Sequence, residues 1–214
     1  MFDSTLTPAS DSQGGWTEFL GCRIDLSKNP MAPRPETEFW VEKFVTQIPK
    51  VKPSRRLSFR VLDMFTGSGC VGIAVASKFP NAQITLADKT NYVSTPLPAN
   101  AKFVQSDLFE NLDGKFDYIL ANPPYVPEES GIKGIMDSEP HDALYAGKKG
   151  LDVVKPFLKQ AREHLNPAGE IWMEFGSEQK EVITNLPRDY NYYGSFNCTF
   201  HKDQYGNWRF VVIK

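Results

Sequence analysis

Short apolar runs alternate with longer amphipathic stretches along most of this chain. "FRVLDMF" (59–65), "AQITLAD" (82–88), "KFVQSD" (102–107) and "FDYILAN" (116–122) are rich in β-branched and aromatic residues. Such runs, separated by helix-length or loop pieces, predict parallel strands covered on both faces. Upstream, "PRPETEFWVEKFVTQIP" (33–49) carries Phe39, Trp40, Phe44, Val45 and Ile48 at helical spacing, with prolines at its head and acids in its first turn. This predicts an amphipathic helix that stops at Pro49. Further on, the pattern predicts a helix from about Leu151 to Leu165, a turn at "NPAG", a strand "EIWMEF", a helix near Ser177 to Asn185, and two terminal strands hinged at "DQYGN".

One connection is short. Between Asp88 and Lys102, about a dozen residues interrupted by Pro96 and Pro98 must join two parallel strands, where a crossover with a full helix and its turns needs all of that length. A loop or a single helical turn is expected. Residues 1 to 15, polar and aperiodic, are expected to form a mobile tail, and residues 16–214 one domain, made of a strand and helix extension (16–58) and an α/β core (59–214).

Composition narrows the function classes. With 214 residues and 41% hydrophobic content the chain can bury one sizeable core. Its formal net charge of -2, with basic residues scattered apart from the run Lys50 to Arg60, predicts no stable binding to nucleic acid. Three cysteines far apart, no secretory signal and no apolar run long enough for a bilayer predict a cytoplasmic protein without membrane contact. Neither the cysteines nor the three histidines have metal-ligand spacing, so no metal is expected.

The candidate chemistry lies at the ends of the predicted strands. "TGSGCVG" places Gly67, Gly69 and Gly72 in a G-x-G-x-x-G pattern between strand and helix, where a ligand can lie against the backbone. Asp88, about twenty residues on, can accept both hydroxyls of a ribose. Asp107 can accept from an exocyclic amine, or cap a helix, and Leu108 can cover one face of a ring. Together these indicate an adenosine-type ligand but do not separate a dinucleotide from S-adenosylmethionine. The fourth strand separates them, since "NPPY" (122–125) suits transfer of a methyl group to a planar nitrogen. Asn122 Oδ1 and the Pro123 carbonyl can accept from both N–H bonds of a substrate –NH2. Pro123 and Pro124 fix the backbone in advance, and Tyr125 offers a flat wall.

In their order along the chain, "PRPETE", "VLDMFTGSGCVGIAVA", "AQITLAD", "FVQSDLF", "FDYILANPPYVP", "EPHDAL", "GKKGLD" and "YGNWRFVVIK" resemble the HemK/PrmC-type N5-glutamine methyltransferases that act on peptide chain release factors. The resemblance implies a class I methyltransferase fold, a seven-stranded mostly parallel sheet with the last strand antiparallel, and S-adenosylmethionine as methyl donor. It implies as acceptor the glutamine of a release factor's Gly-Gly-Gln loop. Carried onto this chain, the donor would be held by Thr66, Gly67, Ser68, Gly69, Asp88, Asp107, Leu108 and Asn122, and the glutamine by Asn122, Pro123, Pro124 and Tyr125.

Three departures stand out. Phe65 occupies the place of the family's first loop glycine, so its ring must point into the core or reshape the pocket. The helix after Asp88 is missing, so either donor affinity is low or Tyr92 and Val93 rebuild that wall. Only a short segment precedes Trp16, where the family generally has a helical domain, so either another surface recognises the substrate or the target differs. Glu36 and Glu38 are candidates for shaping the pocket or for ordinary helix-start carboxylates, and "EPHDAL" is read as structural support with no catalytic role for His141. Two other readings fit the same motifs: an amino-methyltransferase of adenine or cytosine in nucleic acid, and a weakly catalytic partner subunit that keeps the fold.

Overall fold

In chain order, a small hairpin of β1 (Trp16–Phe19) and β2 (Cys22–Asp25) precedes the long helix α1 (Pro35–Val51). The computed structural model describes residues 15–51, 59–130, 138–189 and 197–214. The expected tail, Gly15 aside, and most of the basic run Lys50 to Arg60 therefore lie outside the described residues. Pro35 opens α1, where its missing N–H costs nothing, with Glu36 and Glu38 in the first turn. Trp40, Val41, Phe44 and Ile48 form its buried stripe. The helix runs past Pro49 to Val51, because a proline in a last turn removes one hydrogen bond from a helix that has little left to propagate.

The core then reads β3 (Arg60–Met64), α2 (Cys70–Lys78), β4 (Gln83–Asp88), β5 (Ala101–Gln105), β6 (Phe116–Ala121), a one-turn α3 (His141–Leu144), α4 (Val154–Ala161), β7 (Leu165–Glu174), α5 (Lys180–Asp189), β8 (Cys198–Lys202) and β9 (Trp208–Ile213). Among the described residues, seven strands form one sheet in the order β5-β4-β3-β6-β7-β9-β8. β3 is parallel to β4 and β6, and β9 runs antiparallel to both of its neighbours. This is the expected mostly parallel α/β sheet with an antiparallel last strand. Successive residues divide between two cores. Val61, Tyr118, Leu120, Trp172 and Phe210 face α1, α2 and the hairpin, whereas Leu62, Ile119, Ala121, Ile171 and Met173 face α4 and α5. The period of two with both faces buried is why these strands read as nearly unbroken apolar runs.

Residues 89–100 contain no helix, as their prolines imply, and the chain returns to the sheet through a loop. α4 is shorter than expected. It starts at Val154, which puts Pro156 in the first turn where it is tolerated, and a 3-10 turn (Arg162–His164) follows it. "NPAG" forms an irregularity inside β7, with Leu165 opposite Phe116 and Glu170 opposite Tyr118, and Ala168 at φ 61°.

Candidate active site

Because the chain steps outward from β3 to β4 and β5 and then returns to lay β6 on the other side of β3, the sheet has a switch point between β3 and β6. Ligands of open α/β sheets bind in the crevice at such a point, beyond the carboxyl ends of the strands. The loop after β3 is held by Asp63, a buried carboxylate that accepts on Oδ2 from the Thr66 hydroxyl and from Gly72 N at 2.8 Å. Burial pushes the Asp63 acid up to about 7, against the pull of those two bonds. Gly72 allows α2 to sit close on the sheet, since a Cβ there would lie 2.6 Å from Leu86 Cγ. Gly69 caps α2 at φ 86°.

A cavity of about 440 Å³ opens over these strand ends, within the range of small-molecule sites. Thr66, Gly67, Ser68, Asp88, Asp107, Leu108, Asn122 and Pro124 all line it. Asp88 accepts from Gly67 N at 2.9 Å and Thr90 N at 3.1 Å, while burial pushes its acid above the usual range. Asp107 and Leu108 lie on a turn, with no helix after Asp107 to cap. Of the two residues expected to rebuild the wall, Tyr92 lines the cavity, whereas Val93 packs behind it against the first core, where a Cβ on Gly69 would come within 3.3 Å of its Cγ2. Lys89 and Asp142, both lining residues, form an ion pair at 2.9 Å. The Phe65 ring packs edge-on against Phe157, with centroids 5.3 Å apart, so it points into the core as one of the two expectations had it, and it also borders the cavity.

Three predicted residues lie off this cavity. Gly69 is turned into packing against Ile73, Leu86 and Val93. Pro123 and Tyr125 line a smaller adjoining cleft of about 20 Å³ that Asn122, Pro124 and Arg34 share. Tyr125 is anchored at both ends. Its hydroxyl donates to Glu174 Oε1 at 3.0 Å, and its carbonyl accepts from Gln179 Nε2 at 2.9 Å. Burial and the Glu174 charge hold the Tyr125 phenol well above its ordinary range.

Sequence reasoning missed four residues that organise this site: Asp63, Thr37, Glu174 and Gln179. Asn122 Nδ2 donates to Thr37 Oγ1 at 3.2 Å, Thr37 donates to Glu174 Oε2 at 2.7 Å, and Trp40 Nε1 donates to the same oxygen at 2.8 Å. Burial raises the Glu174 acid, and Arg209 together with the three donors pulls against it. From "PRPETE" it is thus Pro33 and Thr37 that line the cavity and neither Glu36 nor Glu38; Glu38 accepts from Leu20 N at 2.7 Å and ties α1 to the hairpin. "EPHDAL" supports the wall as expected. Glu139 pairs with Arg34 and accepts from Ala32 N at 3.0 Å, and Ala143 lines the cavity. His141 is exposed and stacks on Tyr145. Among the described residues no group of His, Cys, Asp and Glu converges as a metal site would, and no helix is long and apolar enough to cross a membrane.

The cavity fits an adenosyl methyl donor. A Cβ on Gly67 would meet no protein atom within 4 Å, so the loop leaves room for a donor to lie against its backbone. Two solved structures share the fold. The ribosomal protein L11 methylase of Lactobacillus delbrueckii subsp. bulgaricus matches with a TM-score of 0.59 and 18% identity over 89% of this chain and 83% of its own. The hMettl16 catalytic domain, solved with the MAT2A 3'UTR hairpin 6, matches with a TM-score of 0.64 and 11% identity over 89% and 74%. The sheet order, with the cavity at its switch point, is the class I methyltransferase fold.

A family model described as "Methyltransferase small domain" matches residues 42–138. Proteins named "Release factor glutamine methyltransferase" are similar over most of the chain. The one from Streptococcus pneumoniae is 31% identical over 93% of this chain and 72% of its own. That from Flavobacterium psychrophilum is 31% identical over 93% and 73%, and that from Koribacter versatilis 34% identical over 82% and 65%. The chain spans 65% to 73% of these relatives' length. It belongs to the release factor glutamine methyltransferase family.

Proposed function

We propose that this enzyme methylates the side-chain nitrogen of the glutamine in the Gly-Gly-Gln loop of a peptide chain release factor. The observation that carries this reading is the position of Asn122, an amide acceptor in the wall of the cavity that also contains Gly67 and Asp88. The loop Thr66 to Gly69 would cradle the donor, Asp88 would take the ribose hydroxyls, Asp107 the exocyclic amine, and Leu108 one face of the adenine. When bound, S-adenosylmethionine supplies a methyl on a sulfonium: the C–S electron pair leaves with sulfur as the N–C bond forms, and the nitrogen's proton passes to water.

An amide nitrogen is a poor nucleophile because its lone pair is delocalised, so the protein must aim it. Asn122 Oδ1 and the Pro123 carbonyl would accept from its two N–H bonds and stabilise the charge that grows on nitrogen. Pro124 keeps the turn rigid, and Tyr125, fixed by Glu174 and Gln179, gives the amide a flat surface. We place the reaction in the cytoplasm, and the three free cysteines support a reducing compartment.

Mass spectrometry of a purified release factor incubated with this protein and S-adenosylmethionine tests the reading. One added methyl on the glutamine is expected. Asn122→Ala should slow transfer by about a hundredfold or more, the scale for one preorganised acceptor, with donor binding retained. Label entering DNA or RNA but not protein, or an Asn122→Ala enzyme at full rate, would overturn it.

A further inference from the structure

Glu174 stands at the end of β7 and gathers three donors in a buried pocket: Thr37 and Trp40 on Oε2, Tyr125 on Oε1. A threonine hydroxyl has one proton. With that proton given to Glu174, Thr37 Oγ1 can only accept from Asn122, and the atom it faces at 3.2 Å is Asn122 Nδ2. A carboxamide whose nitrogen is turned toward Thr37 presents its oxygen on the opposite side. Turning the amide over would set Oδ1 against Oγ1 with no proton between them, and would leave –NH2 to meet the incoming –NH2 of a substrate.

We propose that Thr37 is a positioning residue that selects the Asn122 orientation with Oδ1 forward, and that Glu174 sets the direction of the Thr37 hydroxyl. This rests on the reading of function given above. It gives a chemical reason for a small hydroxyl residue in the first turn of α1, in phase with the buried Trp40 and Val41. Valine at position 37 keeps the shape but leaves the Asn122 nitrogen facing a methyl group. Turning over then lets that nitrogen reach water in the cavity, so the fraction with Oδ1 forward falls by about tenfold.

The test compares Thr37→Val and Thr37→Ser in the full chain, with release factor and labelled S-adenosylmethionine, and circular dichroism melts run alongside. Thr37→Val should lower kcat by about tenfold or more with both KM values within about threefold, and Thr37→Ser should restore kcat. If the valine variant does not fold, Thr37→Ala replaces it with the same expected split. Full kcat in Thr37→Val, a serine variant as slow as valine, or a loss confined to the KM for S-adenosylmethionine would overturn the inference. A wild-type chain inactive on release factor would instead overturn the functional reading and this inference with it; an active wild type beside a full-rate Thr37→Val overturns the inference alone.

Discussion

Asp63 offers a sharp test of the energetics beneath the donor loop. Its side chain is 2% exposed, and one oxygen, Oδ2, accepts both the Thr66 hydroxyl and the Gly72 N–H. Burial moves its acid from the ordinary 3.8 to about 7. Below about pH 4 the group is neutral folded and unfolded alike. Between about pH 4 and 7 the unfolded chain ionises it while the folded chain still holds the proton, so stability falls as pH rises through that window and levels off above it. A gap of roughly three pH units is worth about 4 kcal/mol at 1.36 kcal/mol each. In Asp63→Asn the amide oxygen can take the place of Oδ2 and keep both bonds, with nothing left to ionise. Urea unfolding of both proteins at constant ionic strength, from about pH 4 to pH 8, should show the variant gaining on the wild type by up to about 4 kcal/mol as pH rises. A constant difference across that window would refute the reasoning.

Other outcomes follow from the same geometry. Gly150→Ala places a Cβ 2.0 Å from the Tyr125 carbonyl at φ 65°; it should cost about 1–3 kcal/mol in thermal or urea unfolding and slow methyl transfer more than it weakens donor binding. Asp203→Ala strips the buried Arg209 of a partner at 3.0 Å and also frees Tyr205 N and Asn207 N, so unfolding should become easier by about 3–5 kcal/mol. Gly67→Val projects into the cavity, and calorimetry should find donor affinity lowered roughly tenfold or more, about 1.4 kcal/mol; because the residue sits at φ 52°, where a β-branched side chain is strained, the melting temperature should fall as well.

What was legible in the sequence, and what was not, divides by range. The strands declared themselves because both faces of β3, β6 and β7 are buried, leaving almost no polar residue in their runs. The glycine loop and Asp88 were legible because their spacing is local. Thr37 and Glu174 were missed because they meet across 137 positions, and Thr37 is the uncharged residue between the two acids of "PRPETE". The visible charges beside Thr37 drew attention to Glu36 and Glu38 instead. A signal was nevertheless present. Thr37 lies three, four and seven residues before Trp40, Val41 and Phe44, on the stripe of α1 that is buried, and Glu174 lies two beyond Trp172, on the face of β7 turned toward that stripe. A polar residue in phase with a core face needs a partner from the opposite element, and pairing the two phases finds it.

Phe65 shows the converse, a bulky residue on a backbone that suits glycine. Its φ of 61° lies in the left-handed region where glycine is at ease and a bulky side chain is strained by roughly 1–2 kcal/mol. The loop thus has a glycine's conformation without a glycine. The strain is offset where the ring goes, against Phe157 in the second core, while Thr66, Gly67 and Ser68 remain on the cavity. Since the backbone path is fixed from below by Asp63 and from the side by Asp88 on Gly67 N, the side chain at 65 can change without moving the groups that face the donor. Loop shape and loop sequence are thus separable here, and the carboxylates beneath and beside the loop hold its shape.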